Sequence, residues 1–219
     1  MRRGVSDLND RLRACYTGAV HDVLRGMGVE RCVLPPEIKA IAPGTRLAGP
    51  VWTVSGHIDR TRTRDQTLLA WCTLLSKAPS GNVVVCQPNT LEIALMGELS
   101  AQTLAARGVL GYVVAGGSRD TDLVLAQGFP VFCSFLTPAD VVGRWIPDHY
   151  GEPVTIGEVT VTTGDYLLGD RDGVVMIPRA LAEQVVAKAE EVVSTESSMR
   201  QALIGGMDPV AAYEKYGKF

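Results

Sequence analysis

Between residues 82 and 135 the chain repeats one pattern: a short apolar run rich in β-branched residues, then a helix-like stretch closed by glycine. "NVVVCQ", "GYVVAGG" and "FPVFCSF" read as strands, while "GELSAQTLAARG" and "DTDLVLAQG" read as the helices between them. Strand, helix, strand, helix, strand is the signature of right-handed parallel crossovers. The chain is therefore expected to build an α/β fold around a partly parallel sheet.

The flanks are less regular. "DLNDRLRACYTGAVHDVLRGMG" reads as one helix with a glycine stop, and "IKAIAPGTRLAGPVWTV" as a strand pair broken at Pro-Gly. "RTRDQTLLAWCTLLSKA" is a further amphipathic helix. After "TPADVVGRW" the pattern becomes short strands with tight turns, "EPVTIGEVTVTTGDYLLGDRDGVVMIP", and then a long helix, "PRALAEQVVAKAEEVVSTESSMRQAL", with a short polar tail. With no repeat, low-complexity run or linker, residues 1–219 are expected to form a single domain with a C-terminal helical extension from about residue 179.

Composition excludes several classes. A net charge of -3 supplies no basic field for phosphate backbones, so no nucleic-acid partner is expected. Two arginines at the start have no apolar stretch behind them and no run approaches a membrane span, which leaves a cytoplasmic location and no membrane partner as the expectation. The five cysteines are odd in number and far apart, a pattern of reduced, buried thiols rather than disulfides or a zinc site. His21, His57 and His149 are too scattered for a metal cluster, although His57 stands where it could line a pocket. Lys39 and Lys77 have turn or proline neighbours, which disfavours a Schiff-base mechanism. Arg60, Arg62 and Arg64 read as a solvated face from which one could reach a distal carboxylate.

In parallel sheets, ligands collect beyond the carboxyl ends of strands, where helix N-termini present free N–H groups. Two such places follow one another here. "MGELS" opens a helix at Gly97, and "AGGSRD" leaves the next strand with Arg119 and Asp120 side by side. That pair either closes a surface turn or faces a ligand needing both charges. In the second case, the amides of Gly97, Glu98, Leu99 and Ser100 and the Arg119 guanidinium would hold a carboxylate, and Asp120 would hold a hard divalent cation. Such a site suits a small 2-oxoacid and chemistry that forms its enolate.

The stretches "MGELSAQTLAARGVLGYVVAGGSRD", "GFPVFCSFLTPAD" and "PVTIGEVTVTTGDYLLGDRDGVVMIP", over roughly residues 15–195, resemble the RraA-like proteins and 4-hydroxy-4-methyl-2-oxoglutarate (HMG) aldolases, a family formerly labelled dimethylmenaquinone methyltransferase-like. The resemblance implies an α-β-β-α sandwich related to the swivelling phosphohistidine domain, assembled as a homotrimer or homohexamer with sites between subunits. It implies a lyase that cleaves a 4-hydroxy-2-oxoacid through pyruvate enolate, with oxaloacetate decarboxylase activity beside it. Gly97, Glu98, Leu99, Ser100 and Arg119 would bind the substrate, with Arg119 and Glu98 catalytic, and Asp120 would bind Mg2+ or Mn2+. Glu98 takes the place of the acid that steers water on the metal, and Glu191 or Glu196 could supply the acid that a neighbour's C-terminal region contributes. The alternative within the family is a non-enzymatic, protein-binding regulator of RNase E. A methyltransferase finds no support, because no GxGxxG nucleotide loop is present. The chain departs from the aldolase pattern at Ala115 and near Gln87, where relatives carry Asp, and at Leu123, where an acid is expected with Asp122 one position early.

Overall fold

The computed structural model describes residues 7–217. Arg2, Arg3 and the last two residues of the tail lie outside that range. In chain order the elements are α1 (Leu8–Ala14), α2 (Thr17–Gly26), β1 (Lys39–Ala40), β2 (Leu47–Ile58), α3 (Arg64–Lys77), β3 (Val83–Gln87), α4 (Glu98–Ala106), β4 (Gly111–Ser118), α5 (Thr121–Gln127), β5 (Val131–Leu136), β6 (Trp145–Tyr150), β7 (Val154–Ile156), β8 (Val159–Val161), β9 (Tyr166–Asp170), β10 (Gly173–Ile177), α6 (Ala182–Ile204) and α7 (Pro209–Tyr216).

The alternating segment folds as its pattern requires. β2, β3, β4 and β5 run parallel side by side, with α3, α4 and α5 as the crossovers. β9 and β10 extend the sheet antiparallel beyond β2, giving the order β1-β5-β4-β3-β2-β9-β10 with β6 on the far end of β2. A bridge from Val33 to Val175, and a hydrogen bond from Lys39 Nζ to the Asp172 carbonyl, bring the two ends of that order together. The sheet is therefore nearly closed.

Period-two alternation sorts the side chains onto its two faces. Along β2, Leu47 and Val51 point inward with Val83, Val113, Phe132, Leu167 and the β7–β8 hairpin. Ala48 faces outward to a layer of α1, α2 and α6 anchored by Leu12, Leu24 and Val185. Trp52 and Val54 face outward to the other helical layer, where Trp71, Leu74, Ala101 and Leu104 of α3 and α4 pack. Gly97, Arg119 and Asp120 flank the α4 and α5 elements on this side of the sheet.

Several expectations change. The expected helix over residues 7–28 is two helices, because Cys15 and Tyr16 are extended. Thr17, the first residue of α2, gives its backbone N–H and its hydroxyl to Asp170 at 2.9 and 2.8 Å, so a carboxylate 153 residues away starts that helix. The expected β1–β2 hairpin does not form, since β1 pairs with β5. β6 was not foreseen, because Pro147 and a charged surface hide it; Pro147 lies opposite Gly56 where the β2–β6 register shifts. The polar tail contains α7, started by Asp208 accepting from Val210 and Ala211 N–H, with Pro209 in its first turn. Four of the five cysteines are buried and all are free, but Cys72 is exposed on α3. No described helix is long and apolar enough to cross a membrane.

Candidate active site

β4 ends at Ser118, and the chain turns into α5 through Arg119 and Asp120. The turn is fixed from below by two backbone bonds to the preceding crossover, Leu95 N–H to the Gly117 carbonyl at 2.8 Å and Arg119 N–H to the Met96 carbonyl at 2.8 Å. Buried Ser118 adds its hydroxyl to the same Met96 carbonyl at 3.3 Å. These bonds tie the start of α4 to the end of β4, so Gly97 and Asp120, far apart in sequence, become neighbours.

Asp120 has φ +54° and ψ +36°, a left-handed conformation that a non-glycine residue adopts at a cost of about 1–3 kcal/mol. Its carboxylate thereby swings back over the first turn of α4. Oδ2 accepts from the Glu98 N–H at 3.2 Å and lies 3.5 Å from Arg119 Nε. Gly97 proves necessary for a different reason than a tight turn. Its backbone is extended, which any residue tolerates, but a β-carbon there would sit 2.7 Å from Asp120 Oδ2 and 3.2 Å from Arg119 Cγ. The missing side chain is the space in which the Arg-Asp pair rests.

The pair does more than neutralise itself. Arg119 Nη1 reaches Asp140 Oδ2 at 3.3 Å, so the guanidinium is braced between two carboxylates on different loops. Asp140 was not singled out from the sequence. It lies within the "TPAD" stretch after β5, and its only local signal is the turn it caps by accepting from Val142 N–H at 3.2 Å.

Gly97, as N-cap, offers no side chain to the first N–H groups of α4, and Glu98 N–H is taken by Asp120. Leu99 and Ser100 N–H remain as the donors available to an anion at that helix end. The Glu98 side chain is turned outward: Gln127 Nε2 of α5 donates to Glu98 Oε1 at 3.3 Å, and Glu98 does not line the cavity beside Arg119.

That cavity, about 300 Å3, opens at Gly97, Arg119, Asp120 and Asp140 and runs between α3 and α4. Other sequence candidates lie elsewhere. Ala115 packs on the inward face of the sheet, and Gln87 donates to the Thr155 carbonyl of β7 at 2.8 Å, so neither departure from the aldolase pattern reaches the cavity. Leu123 is exposed on α5. Glu191 and Glu196 ride on α6, whose buried side chains pack with α1 and α2 in the opposite layer. His57 is exposed and bonded through Nδ1 to Asp148 Oδ2 at 2.6 Å, while His21 and His149 pair with Asp22 and Glu152. Among the described residues no three His, Cys, Asp or Glu converge in a metal-binding group.

A divalent cation remains compatible with this donor set. Mg2+ is commonly held by one or two carboxylates and keeps water at its other positions. Asp120 supplies a hard oxygen at the cavity mouth, and the space left by Gly97 keeps that oxygen clear of carbon.

The geometry describes a helix N-terminus, an arginine and an exposed aspartate converging at the carboxyl ends of parallel strands, the place where α/β proteins bind small anionic ligands. Residues 17–176 match the RraA-like family, Aldolase/RraA, and the chain belongs to it. Protein DlpA of Legionella pneumophila is 26% identical over 211 residues, which are 96% of this chain but only 34% of DlpA, so the chain spans about a third of that relative. A Halalkalibacterium halodurans protein provisionally named 4-hydroxy-4-methyl-2-oxoglutarate aldolase is 27% identical over 97% of this chain and 96% of its own length. The crystal structure of Streptomyces coelicolor RraAS2, described as an unusual member of the RNase ES inhibitor RraA protein family, superposes with a TM-score of 0.78 at 26% identity, over 91% of this chain and 98% of RraAS2.

Proposed function

We propose that the chain is a divalent-metal-dependent carbon-carbon lyase that cleaves a 4-hydroxy-2-oxoacid to pyruvate and a carbonyl compound, and that also decarboxylates oxaloacetate. The observation that carries this reading is the Arg119–Asp120 pair, held by Gly97 and Asp140 against an N-terminus with free amides. The provisional aldolase name of the Halalkalibacterium halodurans relative supports it.

In this reading Arg119 and the Leu99 and Ser100 amides bind the substrate carboxylate, which fixes the 2-oxo group beside Asp120. Asp120 holds Mg2+ or Mn2+, which when bound places positive charge where the enolate oxygen develops. Glu98, once it leaves Gln127, accepts the proton of the 4-hydroxyl group through water. The C3–C4 bond then breaks, its electron pair passes into the pyruvate enolate, and C4 leaves as a carbonyl. Reprotonation at C3 completes pyruvate, with no net redox change. Oxaloacetate needs only the second half of this chemistry, since carbon dioxide leaves in place of the carbonyl fragment.

The same reading takes the nearly closed sheet and its two helical layers as the α-β-β-α sandwich of the swivelling phosphohistidine type, and the chain as one domain. It also takes the working form as a homotrimer or homohexamer, with Glu191 or Glu196 entering a neighbour's site. A second reading, protein-binding control of an RNase E-type nuclease, draws on the likeness to RraAS2.

A coupled pyruvate assay with 4-hydroxy-2-oxoacids and oxaloacetate tests the first reading. Turnover should stop with EDTA, return with Mg2+ or Mn2+, and be lost in Asp120→Ala and Arg119→Ala. Unchanged activity in both variants would sink the assignment. Inhibition of RNase E cleavage by a chain with no lyase activity would favour the second reading.

A further inference from the structure

Three charged side chains line the cavity among the described residues: Arg119, Asp120 and Asp140. The first two have a task in the lyase reading and Asp140 has none, yet it is not a free surface acid. The chain just before it is anchored by Ala94 N–H, which donates to the Ala139 carbonyl at 2.8 Å. Oδ1 accepts from Val142 N–H at 3.2 Å, and Oδ2 lies 3.3 Å from Arg119 Nη1, so both oxygens are placed. Asp120 meets the same guanidinium at a different nitrogen, with Oδ2 3.5 Å from Nε. Both contacts are longer than the roughly 2.7–2.9 Å of a closed charge-assisted hydrogen bond. Arg119 is held by charge from two sides of its fork and keeps donor capacity for a third anion.

Asp140 therefore acts with opposite sign on the two kinds of ligand. Positive charge bound to the Asp120 carboxylate is repelled by the guanidinium beside it, and the Asp140 carboxylate offsets part of that repulsion. A carboxylate ligand meets the reverse. Without the cation it must share Arg119 with Asp140, a like charge already in place. The three side chains are 35–37% exposed, so water weakens both effects without changing their sign.

We propose that Asp140 is a positioning residue that sets the order in which the site fills. It strengthens the hold of Asp120 on a divalent cation and weakens the metal-free binding of carboxylates to Arg119, so the cation binds before the oxoacid. Stray carboxylates are thereby kept from occupying Arg119 in a site that cannot yet react. The proposal rests on the binding half of the lyase reading, Arg119 for a carboxylate and Asp120 for the cation. A neighbour's acid entering the same mouth is present with and without Asp140, so it leaves the sign of the difference unchanged.

The test compares the full chain with Asp140→Asn, which keeps an oxygen for the Val142 N–H and removes the charge. Mn2+ alone is titrated with the free ion counted by electron paramagnetic resonance. Pyruvate alone is titrated in chelator-treated buffer, followed by the width of its methyl NMR line. In Asp140→Asn the Mn2+ dissociation constant should rise about tenfold and the metal-free pyruvate dissociation constant should fall about fivefold, both changes shrinking as salt is raised. Asp140→Glu should return both towards the unaltered values. An acid that only kept Arg119 in place would, on removal, weaken pyruvate binding or leave it as it was. Either of those results, or an unchanged Mn2+ affinity, overturns the proposal and leaves the lyase reading to its own assay. If the unaltered protein binds neither Mn2+ nor, with Mn2+ present, pyruvate, the lyase reading falls and the proposal with it. If the opposite shifts appear but no 4-hydroxy-2-oxoacid or oxaloacetate yields pyruvate, the proposal stands and the lyase chemistry alone falls.

Discussion

Two aspartates follow strand ends in this molecule and have opposite surroundings. Asp170, at the end of β9, is 9% exposed and saturated: it accepts from Thr17 N–H, Thr17 Oγ1 and Asp172 N–H at 2.8–3.0 Å. Asp120, after β4, is exposed, sits in a left-handed backbone conformation, and receives one backbone N–H, with Arg119 Nε 3.5 Å from its carboxylate. A carboxylate with all its oxygens engaged inside the protein is a fastener. One held in a strained backbone with lone pairs turned outward is available to a ligand. The comparison separates residues that a shared motif would treat alike, since "GSRD" and "LLGDRDG" both read as glycine-rich acidic turns.

Removing each acid in turn separates the two roles. Asp120→Asn should lower kcat/KM by on the order of 10³, about 4 kcal/mol of transition-state stabilisation, with the thermal midpoint nearly unchanged. Asp170→Ala should do the reverse, leaving buried Thr17 donors unpaired and destabilising the fold by about 3 kcal/mol in chemical denaturation, while the folded fraction keeps its kcat. If Asp170→Ala abolished turnover at full stability, the division of roles would fall. Gly97→Ala comes next: its methyl group would displace the Asp120 carboxylate, and a loss of about 10- to 100-fold in kcat/KM is expected without loss of fold.

A smaller effect tests the cavity side through its thiol. Burial pushes the Cys86 thiol up to about 12 and Cys133 to about 11, and also raises Cys15 and Cys32, whereas Cys72 is exposed on the cavity wall. Iodoacetamide should therefore label Cys72 first, as peptide mass spectrometry would show, and pyruvate protection should slow that labelling. The smallest effect lies on the Asp170 side. Arg11 donates to Glu190 at 2.6 and 3.0 Å and holds that carboxyl below its ordinary value, tying α1 to α6. Because the folded pKa is lowered, this contribution is present at neutral pH and is lost as pH falls through the depressed value. Arg11→Ala should lower the thermal midpoint only slightly at pH 7, with the difference vanishing in acid.

What could be read from residues alone tracks the range of the interactions involved. The β3–α4–β4–α5–β5 unit was legible because apolar runs, glycine stops and crossovers are local features. Arg119, Asp120 and the α4 N-terminus were legible for the same reason, as each stands at an element end. The break between α1 and α2 was not, because its cause is Asp170. Asp140 was missed because nothing near it in sequence marks it as the brace for Arg119. The outward turn of Glu98 depends on Gln127, a contact between helices that periodicity does not encode. The tail helix α7 did carry its own signal, Asp208 followed by Pro209 and closed at Gly217, and went unread inside a polar stretch.

β2 belongs to both halves of the molecule: its first residues pair with β9, its middle with β3 and its end with β6. During synthesis, β2 through β5 can assemble as each strand emerges, but the β2–β9 pairing and the Asp170 clasp on α2 wait for about thirty residues beyond β5. The order of emergence thus lets the cavity side form while the N-terminal helices still lack their fastener. Pulse-labelled hydrogen exchange should find β3 and β4 amides protected before those of β9 and α2.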